Sequence, residues 1–307
     1  MTAFQPRVSI VIPVYNGERF VGEAIQSVLA QDFTDFECIV VDDGSTDSTP
    51  AIIAGFADIR LRSVRTVNQG TSPARNTGIA ESHGEFVALL DADDVWLPGK
   101  LSAQVALLDS DPHLGFVTCG YTITDENLRS LTNIVLAGSN DDVRRWLLME
   151  GNGLGFGSTA MIRASALAAS GGFEPRLSTS ADLDLAVRIA RDHPVIAVPD
   201  CLVLYRTHTG QIHLDLELFE QDNTLLLDRQ LANDPAGKRR GAANLHTRLA
   251  IYHLRSGSWQ WRRHLAISLR NRPDRLLRLP LEALTRRLGR RIAGLRSSTR
   301  RIGQRRR

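Results

Sequence analysis

Several features are scarce or missing in this chain of 307 residues, and each absence narrows the possibilities. No apolar run approaches the roughly 20 residues needed to cross a bilayer. No early segment joins a charged start, a long apolar core and a small-residue cleavage site, so a cytoplasmic or peripheral protein is expected. Cysteine is rare: Cys38, Cys119 and Cys201 have no close spacing and each sits in an apolar segment. They read as small buried hydrophobes suited to a reducing compartment, not as zinc ligands or a disulfide framework. There is no obvious repeat, no low-complexity linker, and no glycine-rich phosphate loop with an activating lysine near the N-terminus. Acids vanish after Glu282, where ten arginines follow, from Arg286 to Arg307. The remaining chain holds 27 basic against 34 acidic residues, a balance of −7, so the basic pI of about 9.0 belongs to the tail. It is not the footprint of a nucleic-acid partner, and none is expected.

What is present is a strand and helix alternation. Apolar runs predict strands at 8–14, 37–41, 61–64, 86–90 and 115–119. Between and after them, 3.6-residue periodicity predicts helices at 21–29, 48–57, 73–82 and 99–110. This order implies an α/β fold with a mostly parallel sheet covered on both faces. The second half is less regular, with strands expected at 156–162 and 201–205 and a helix at 182–192. From about residue 212 the pattern is helical, and Asn233, Asp234, Pro235, Ala236 and Gly237 form the expected break before a C-terminal helical region.

The segment EFVALLDADDVW, Glu85 to Trp96, ends a core strand in three carboxylates, Asp91, Asp93 and Asp94. Acids placed at the C-terminal end of a parallel strand sit where open α/β sheets bind ligands. Crowded carboxylates repel unless a cation holds them, and Mg²⁺ or Mn²⁺ with substrate phosphates does so. A solvated turn with Asp94 as a helix cap is the plainer alternative. CIVVDDGSTDST places Asp42 and Asp43 after another strand, where a carboxylate can accept from a base N–H or a ribose hydroxyl; Ser45 or Asp47 would cap the following helix. NQGTSPARNTGIA contributes Arg75, and SADLDLAVRIA contributes Asp182 and Asp184 in a first helical turn.

Read together with VSIVIPVYNGERF at the start, these ordered motifs resemble those of the family-2 inverting glycosyltransferases over roughly the first 210 residues. The resemblance implies a GT-A (Rossmann-like) catalytic domain at 1–210 and a helical region with an Arg-rich tail at 211–307. It implies a nucleotide-diphosphate sugar donor, UDP-linked before others, and a glycan or lipid-linked acceptor, as in cell-surface polysaccharide synthesis. Pro13, Tyr15 and Asn16 would shape the base pocket, with Asp42 or, more so, Asp43 reading the base. Arg75 would reach the nucleotide or diphosphate, Asp91 the ribose, and Asp93 with His208 a Mn²⁺ or Mg²⁺ ion. Asp182 matches the second acid of the family's acidic pair and would be the general base, while Ala181 stands where the first acid is usual. Gly153 to Ser158 and Gly171 to Phe173 would flank the acceptor. A catalytically inactive nucleotide-sugar or glycan-binding protein of the same fold, and a nucleotidyltransferase, are the alternatives.

Leu277, Leu281, Leu284, Leu288, Ile292 and Leu295 recur every three or four residues beside the terminal arginines. Pro280 suits a helix start, while Gly289 and Gly294 weaken it by about 1 kcal/mol each relative to alanine. An amphipathic cationic helix at 280–307 would associate with an anionic membrane surface without spanning it.

Overall fold

The computed structural model describes residues 6–135, 138–150, 156–209 and 215–273. They fall into two compact units that divide after Asn233.

The first unit opens with β1 (Val8–Val14), α1 (Val21–Leu29), β2 (Phe36–Asp42), α2 (Thr49–Ala54), β3 (Leu61–Arg65), α3 (Thr71–Ala80) and β4 (Phe86–Leu89). β1 is buried at all seven positions, which is why it reads as a continuous apolar run and not an alternating one. Its lone polar residue, Ser9, accepts from the Gly84 N–H at 2.8 Å and donates to Glu37 at 2.7 Å. α3 lies so close to β1 that a Cβ at Gly78 would stand 2.3 Å from a Val11 methyl.

β5 (Val95–Trp96), α4 (Lys100–Ser110), β6 (Phe116–Thr124), β7 (Ser130–Ile134), α5 (Asn140–Leu147), α6 (Phe156–Thr159), β8 (Met161–Arg163), α7 (Ala164–Ser170), α8 (Ala181–Asp192), β9 (Val195–Arg206) and α9 (Leu216–Gln230) complete this unit. The sheet order is β3-β2-β1-β4-β8-β6-β9-β5, with β7 beside β6. β1, β2, β3 and β4 pair in parallel, as do β6 and β9; β8, β5 and β7 pair antiparallel to their neighbours. Strands β2 and β3 build outward from one side of β1 and β4 from the other. The topological switch therefore lies at the C-terminal ends of β1, β2 and β4, where the chain leaves a crevice.

Three expectations need correction. The run at 156–162 is not one strand: α6 forms a single turn before β8, because the Ser158 and Thr159 carbonyls accept from the Trp96 indole at 2.8 Å and the Gln104 amide at 2.7 Å. β9 is longer than the strand expected at 201–205, since register shifts around Gly120 let Val195–Val198 also pair with β6. The first unit also runs past residue 210 to include α9, and the division falls within the Asn233–Gly237 break.

All three cysteines are free, and burial pushes the Cys38 thiol pKa far up. Lys100, fully buried, donates to Gln104 at 2.7 Å and lies 3.8 Å from the Trp96 ring centre; burial lowers its pKa to about 8. The second unit contains α10 (Pro235–Ser256) and α11 (Trp261–Asn271), which pack on one another. Asp234 caps α10 by accepting from the Gly237 N–H at 2.8 Å. The arginine-rich segment 280–307 with its apolar stripe lies outside the described residues. Among the described residues, no helix is long and apolar enough to cross a membrane.

Candidate active site

Three loops at the C-terminal ends of β1, β2 and β4 meet in one cavity of about 1030 Å³. After β1, Asn16 adopts φ +48°, a left-handed conformation that asparagine tolerates better than most residues. Its side-chain oxygen accepts from the Thr46 N–H at 2.8 Å, and its own N–H donates to Ser45 Oγ at 2.9 Å. The loop after β2 is thereby tied to the loop after β1. Ser45 is spent on that tie, and it is Asp47 that accepts from the Thr49 N–H at the start of α2.

The two acids after β2 have different surroundings. Asp43 lines the cavity, and its carboxylate accepts from Thr66 Oγ1 at 3.0 Å, the Gln69 N–H at 3.1 Å and the Gly70 N–H at 2.7 Å. Asp42 is buried and does not line the cavity. It accepts from the Ser45 N–H at 2.8 Å and pairs with Arg65 at 3.2 Å, so it builds the turn and is withdrawn from the nucleotide-binding role expected of it. Between them and the loop after β3, Gly44 at φ +79° leaves no room for a side chain, since a Cβ would stand 2.8 Å from the Asn68 nitrogen.

After β4 the acidic turn is pinned by side chains from α6 and β9. Ser158 Oγ accepts from the Asp91 N–H at 3.0 Å and donates to Asp94. Asp94 also accepts from the Arg206 N–H at 2.9 Å, so it is a buried tie and not a helix cap. Burial, reinforced by Asp93 and Asp91, holds the Asp94 pKa well above the usual carboxylate range. The Arg206 guanidinium, itself buried, donates to the Asp93 carbonyl at 2.7 Å and the Glu126 carbonyl at 2.6 Å, and pairs with Glu23. It stacks over Phe20, which also neighbours the His208 ring at 5.0 Å. His208 Nε2 then lies 3.0 Å from Asp93 Oδ2. Burial and the Asp91 charge raise the Asp93 pKa, against the pull of His208.

Arg75 on α3 is 4% exposed and joins the acidic turn to α8. One guanidinium nitrogen lies 2.6 Å from Asp91 and another 2.7 Å from Asp182. Burial alone would lower the Arg75 pKa, but the two carboxylates outweigh it and raise it. Asp182 stands in the first turn of α8 and also accepts from the Gly157 N–H at 3.2 Å. Burial raises its pKa, Arg75 draws it back, and Asp91 pushes it up again. Gly157 has to be small here: a Cβ would sit 3.0 Å from both Asp182 and Asp91. Asp184 points elsewhere, fully buried in a pair with Arg188 at 2.7 Å and accepting from Gln230 at 2.6 Å. Ala181 is fully buried, so its side chain occupies a site closed to solvent.

Of the residues expected at the site, Pro13, Tyr15, Asn16, Asp43, Arg75, Asp91, Asp93, Asp182 and His208 all line this cavity, and Asp42 does not. The Gly171–Phe173 turn lies outside it and is clasped by Asn76, which donates to the Phe173 carbonyl and accepts from its N–H, both at 2.8 Å. Residues 151–155 of the expected acceptor loop lie outside the described residues; Gly157 and Ser158 belong to the cavity wall.

A family model described as glycosyl transferase family 2 matches residues 9–170, which hold β1 to α7 and the acidic turn. The chain belongs to glycosyltransferase family 2. Among the relatives of this glycosyltransferase, an uncharacterised glycosyltransferase of Rickettsia typhi is 32% identical over 213 residues, 68% of this chain and 66% of that one. The UDP-Glc:alpha-D-GlcNAc-diphosphoundecaprenol beta-1,3-glucosyltransferase of Escherichia coli is 35% identical over 121 residues, 39% of this chain and 47% of that one. The aligned part thus spans about two thirds or less of the relatives' own length. In structure the chain is similar to S. aureus TarS 1–349 in complex with UDP-GlcNAc, with a TM-score of 0.60 at 17% identity over 86% of this chain and 89% of that one. It is also similar to the mannosyltransferase of Pyrobaculum calidifontis in complex with GDP-Man and Mn²⁺, with a TM-score of 0.61 at 21% identity over 95% and 81% of the two chains. These likenesses establish the GT-A fold.

The site of this family-2 glycosyltransferase suits a divalent cation. Asp93 and His208 present an oxygen and an imidazole nitrogen side by side at the cavity wall, and the carboxylates nearby carry same-sign charge, with Arg75 paired to Asp91 and Asp182. Two protein donors completed by diphosphate oxygens make a site of the kind hard cations take.

Proposed function

We propose that this chain is a metal-dependent inverting glycosyltransferase. It moves a sugar from a nucleoside-diphosphate donor, a UDP-sugar before others, to a hydroxyl of a glycan or lipid-linked acceptor. The observation that carries this reading is the Arg75 bridge, which fixes Asp91 and Asp182 on opposite sides of one guanidinium at the floor of a cavity that Asp93 and His208 also line. The GT-A neighbours bound to UDP-GlcNAc and to GDP-Man with Mn²⁺ support a nucleotide-sugar donor.

In this mechanism the base rests against Tyr15 and Pro13, within reach of Asp43, and Asp91 accepts from a ribose hydroxyl. Asp182 Oδ2 takes the proton of the acceptor hydroxyl, whose oxygen forms the bond to the anomeric carbon as the bond to the diphosphate oxygen breaks, the electron pair leaving with the nucleoside diphosphate. Attack from the face opposite the leaving group inverts the anomeric centre. A divalent ion held by Asp93 and His208 supplies Lewis-acid stabilisation of the departing diphosphate when bound. Arg75 counters the upward push of burial on the pKa of Asp182 and fixes its distance from the donor-side acid, so positioning supplies much of the rate. The segment 280–307 would bring the protein to an anionic, cytoplasmic membrane face.

Purified protein incubated with UDP-, GDP- and dTDP-sugars, Mn²⁺ or Mg²⁺ and an acceptor panel tests this. The expected product is a glycoside of inverted configuration by NMR. Nucleotide-sugar binding without turnover would instead support the inactive binding protein that Ala181, in place of an acid, keeps in view; formation of a nucleotide-sugar from a sugar phosphate would support the nucleotidyltransferase.

A further inference from the structure

The hairpin of α10 and α11 carries charge of one sign. From Pro235 to Pro273 the sequence has nine lysines and arginines and no aspartate or glutamate. Surfaces ordinarily mix both signs, because a single-sign field repels itself and is kept where a partner of the opposite sign meets it. The end of the hairpin is also rigid. Gly257 stops α10 at φ +79°, its N–H donating to the Leu254 carbonyl at 3.3 Å, while the Ser258 N–H returns to the His253 carbonyl at 2.9 Å. On the α11 side, the Arg262 N–H donates to the Trp259 carbonyl at 3.2 Å. The Ser268 hydroxyl of α11 donates to the Ala243 carbonyl of α10 at 2.9 Å, which fixes the two helices in register.

That rigid turn presents tryptophan to solvent. Trp259 is 70% exposed, and Tyr252 near the end of α10 is 45% exposed. Arg262 lies over both indoles of the turn, its guanidinium carbon 4.3 Å from the Trp259 ring centre and 5.4 Å from that of Trp261. Ring contact shields a guanidinium without neutralising it. Among the described residues neither Arg262 nor Arg255, in the last turn of α10, is paired with a carboxylate.

The combination selects among anionic partners. Unpaired bases stack on free aromatic faces, but Arg262 already lies over both rings. A protein partner would need a contiguous apolar patch, and these aromatics are interspersed with arginine. Tryptophan and tyrosine collect instead at the headgroup depth of a bilayer, ring towards the acyl chains and polar atom towards water, while arginine pairs with phosphate oxygens.

We propose that the α10–α11 turn is an anchor for an anionic phospholipid surface, in which Trp259 enters the boundary between headgroups and acyl chains and Arg255 and Arg262 receive lipid phosphates. This contact is separate from the electrostatic attraction of residues 280–307, and it stands whether or not the chain transfers sugar.

The test uses the full chain, without donor or metal, and vesicles of phosphatidylcholine alone or mixed with phosphatidylglycerol, each with and without bromine on the acyl chains. Bromine quenches an indole that reaches the acyl boundary. The chain's four tryptophans are Trp96, Trp146, Trp259 and Trp261, so the 280–307 segment gives no signal of its own, and Trp96 is buried in the core. Brominated mixed vesicles are expected to quench the wild type, and brominated phosphatidylcholine alone is not. Trp259→Phe should lose most of the quenching while still sedimenting with mixed vesicles. Arg262→Gln should keep the wild-type melting temperature and bind mixed vesicles about fivefold more weakly. Sedimentation with mixed vesicles but no bromine quenching would mean docking through the 280–307 segment alone and would overturn the proposal. Equal quenching by neutral vesicles, quenching unchanged in Trp259→Phe, no vesicle binding at low salt, or a Trp259-dependent response to a single-stranded oligonucleotide and none to vesicles would each overturn it too. Because no donor is present, failure here leaves the transferase reading untouched, and a failed transfer assay leaves the anchor standing.

Discussion

The acids after β2 and the acids after β4 stand at equivalent ends of the two parallel strands that flank β1, yet they are satisfied in opposite ways. Asp43 is surrounded by N–H and O–H donors from residues 66–70, and Asp42 by the Ser45 N–H and Arg65. Their charge is matched by the fold itself. Asp91, Asp93 and Asp182 line one cavity, with Arg75 bridging Asp91 and Asp182 and the His208 imidazole beside Asp93, and burial raises the pKa of both Asp93 and Asp182. One set holds the protein together; the other holds unspent charge for a ligand to neutralise. Acids that look alike in a sequence motif therefore differ in what their loss should do.

Removing the base should have the largest effect. Asp182→Asn keeps the shape but cannot accept the proton, so transfer should fall about 100- to 10,000-fold while nucleotide-sugar binding by calorimetry is retained. Transfer within a few-fold of wild type would move the base elsewhere. Asp93→Asn comes next, with a loss of roughly 100-fold or more that added Mn²⁺ only partly restores. Its melting temperature should stay within about 2 °C of wild type or rise, because like-charge repulsion is relieved.

The same substitution at the other set inverts the pattern. Asp43→Asn turns an amide towards backbone N–H groups and should cost about 1–3 kcal/mol, visible as a lower midpoint in urea, even before any nucleotide is added. Equal stability of the Asp43 and Asp93 variants would erase the contrast. The smallest effect is on the pH profile. The raised Asp182 pKa places the acid limb of kcat/KM above the range of an ordinary carboxylate, since activity falls once the base is protonated. Arg75→Gln removes the charge that holds this pKa down and should move the limb higher still. A limb that stays put would mean that Asp182 does not titrate in the reaction.

Much of the sheet was legible because its parallel strands are buried on both faces and read as unbroken apolar runs, as in β1 and β4. The motif acids were legible because they follow those runs directly. The roles of Asp42 and Asp43 within the pair were not, since a carboxylate bound by N–H groups of residues 66–70 looks identical in sequence to one facing solvent. Gly157 and Ser158 were expected beside the acceptor, but their contacts were not legible for a similar reason: they are a missing Cβ and a hydroxyl shared between Asp91 and Asp94, the latter contacts some 65 residues apart. The stretch 156–162 was misread because strand propensity is local, while the carbonyl partners that fold it into a turn come from Trp96 and Gln104.

Asp222 of α9 accepts from the Ser178 and Thr179 N–H groups at 2.8 and 2.6 Å, and this anchor has a consequence for engineering. The family match ends at residue 170, before the loop and helix that carry Asp182, and that loop is hung on α9. The arm that carries Asp182 is therefore tied to the rest of the cavity at several points, through Arg75, Gly157 and Asn76 and, from β9 onward, through Arg206 and His208 to the acidic turn. Exchanging residues 171–233 as a block between relatives would carry Arg206 and His208 along with Asp182 and so alter both ends of the cavity at once, whereas a graft that stops short of Asp222 would deliver Asp182 on an unsupported loop.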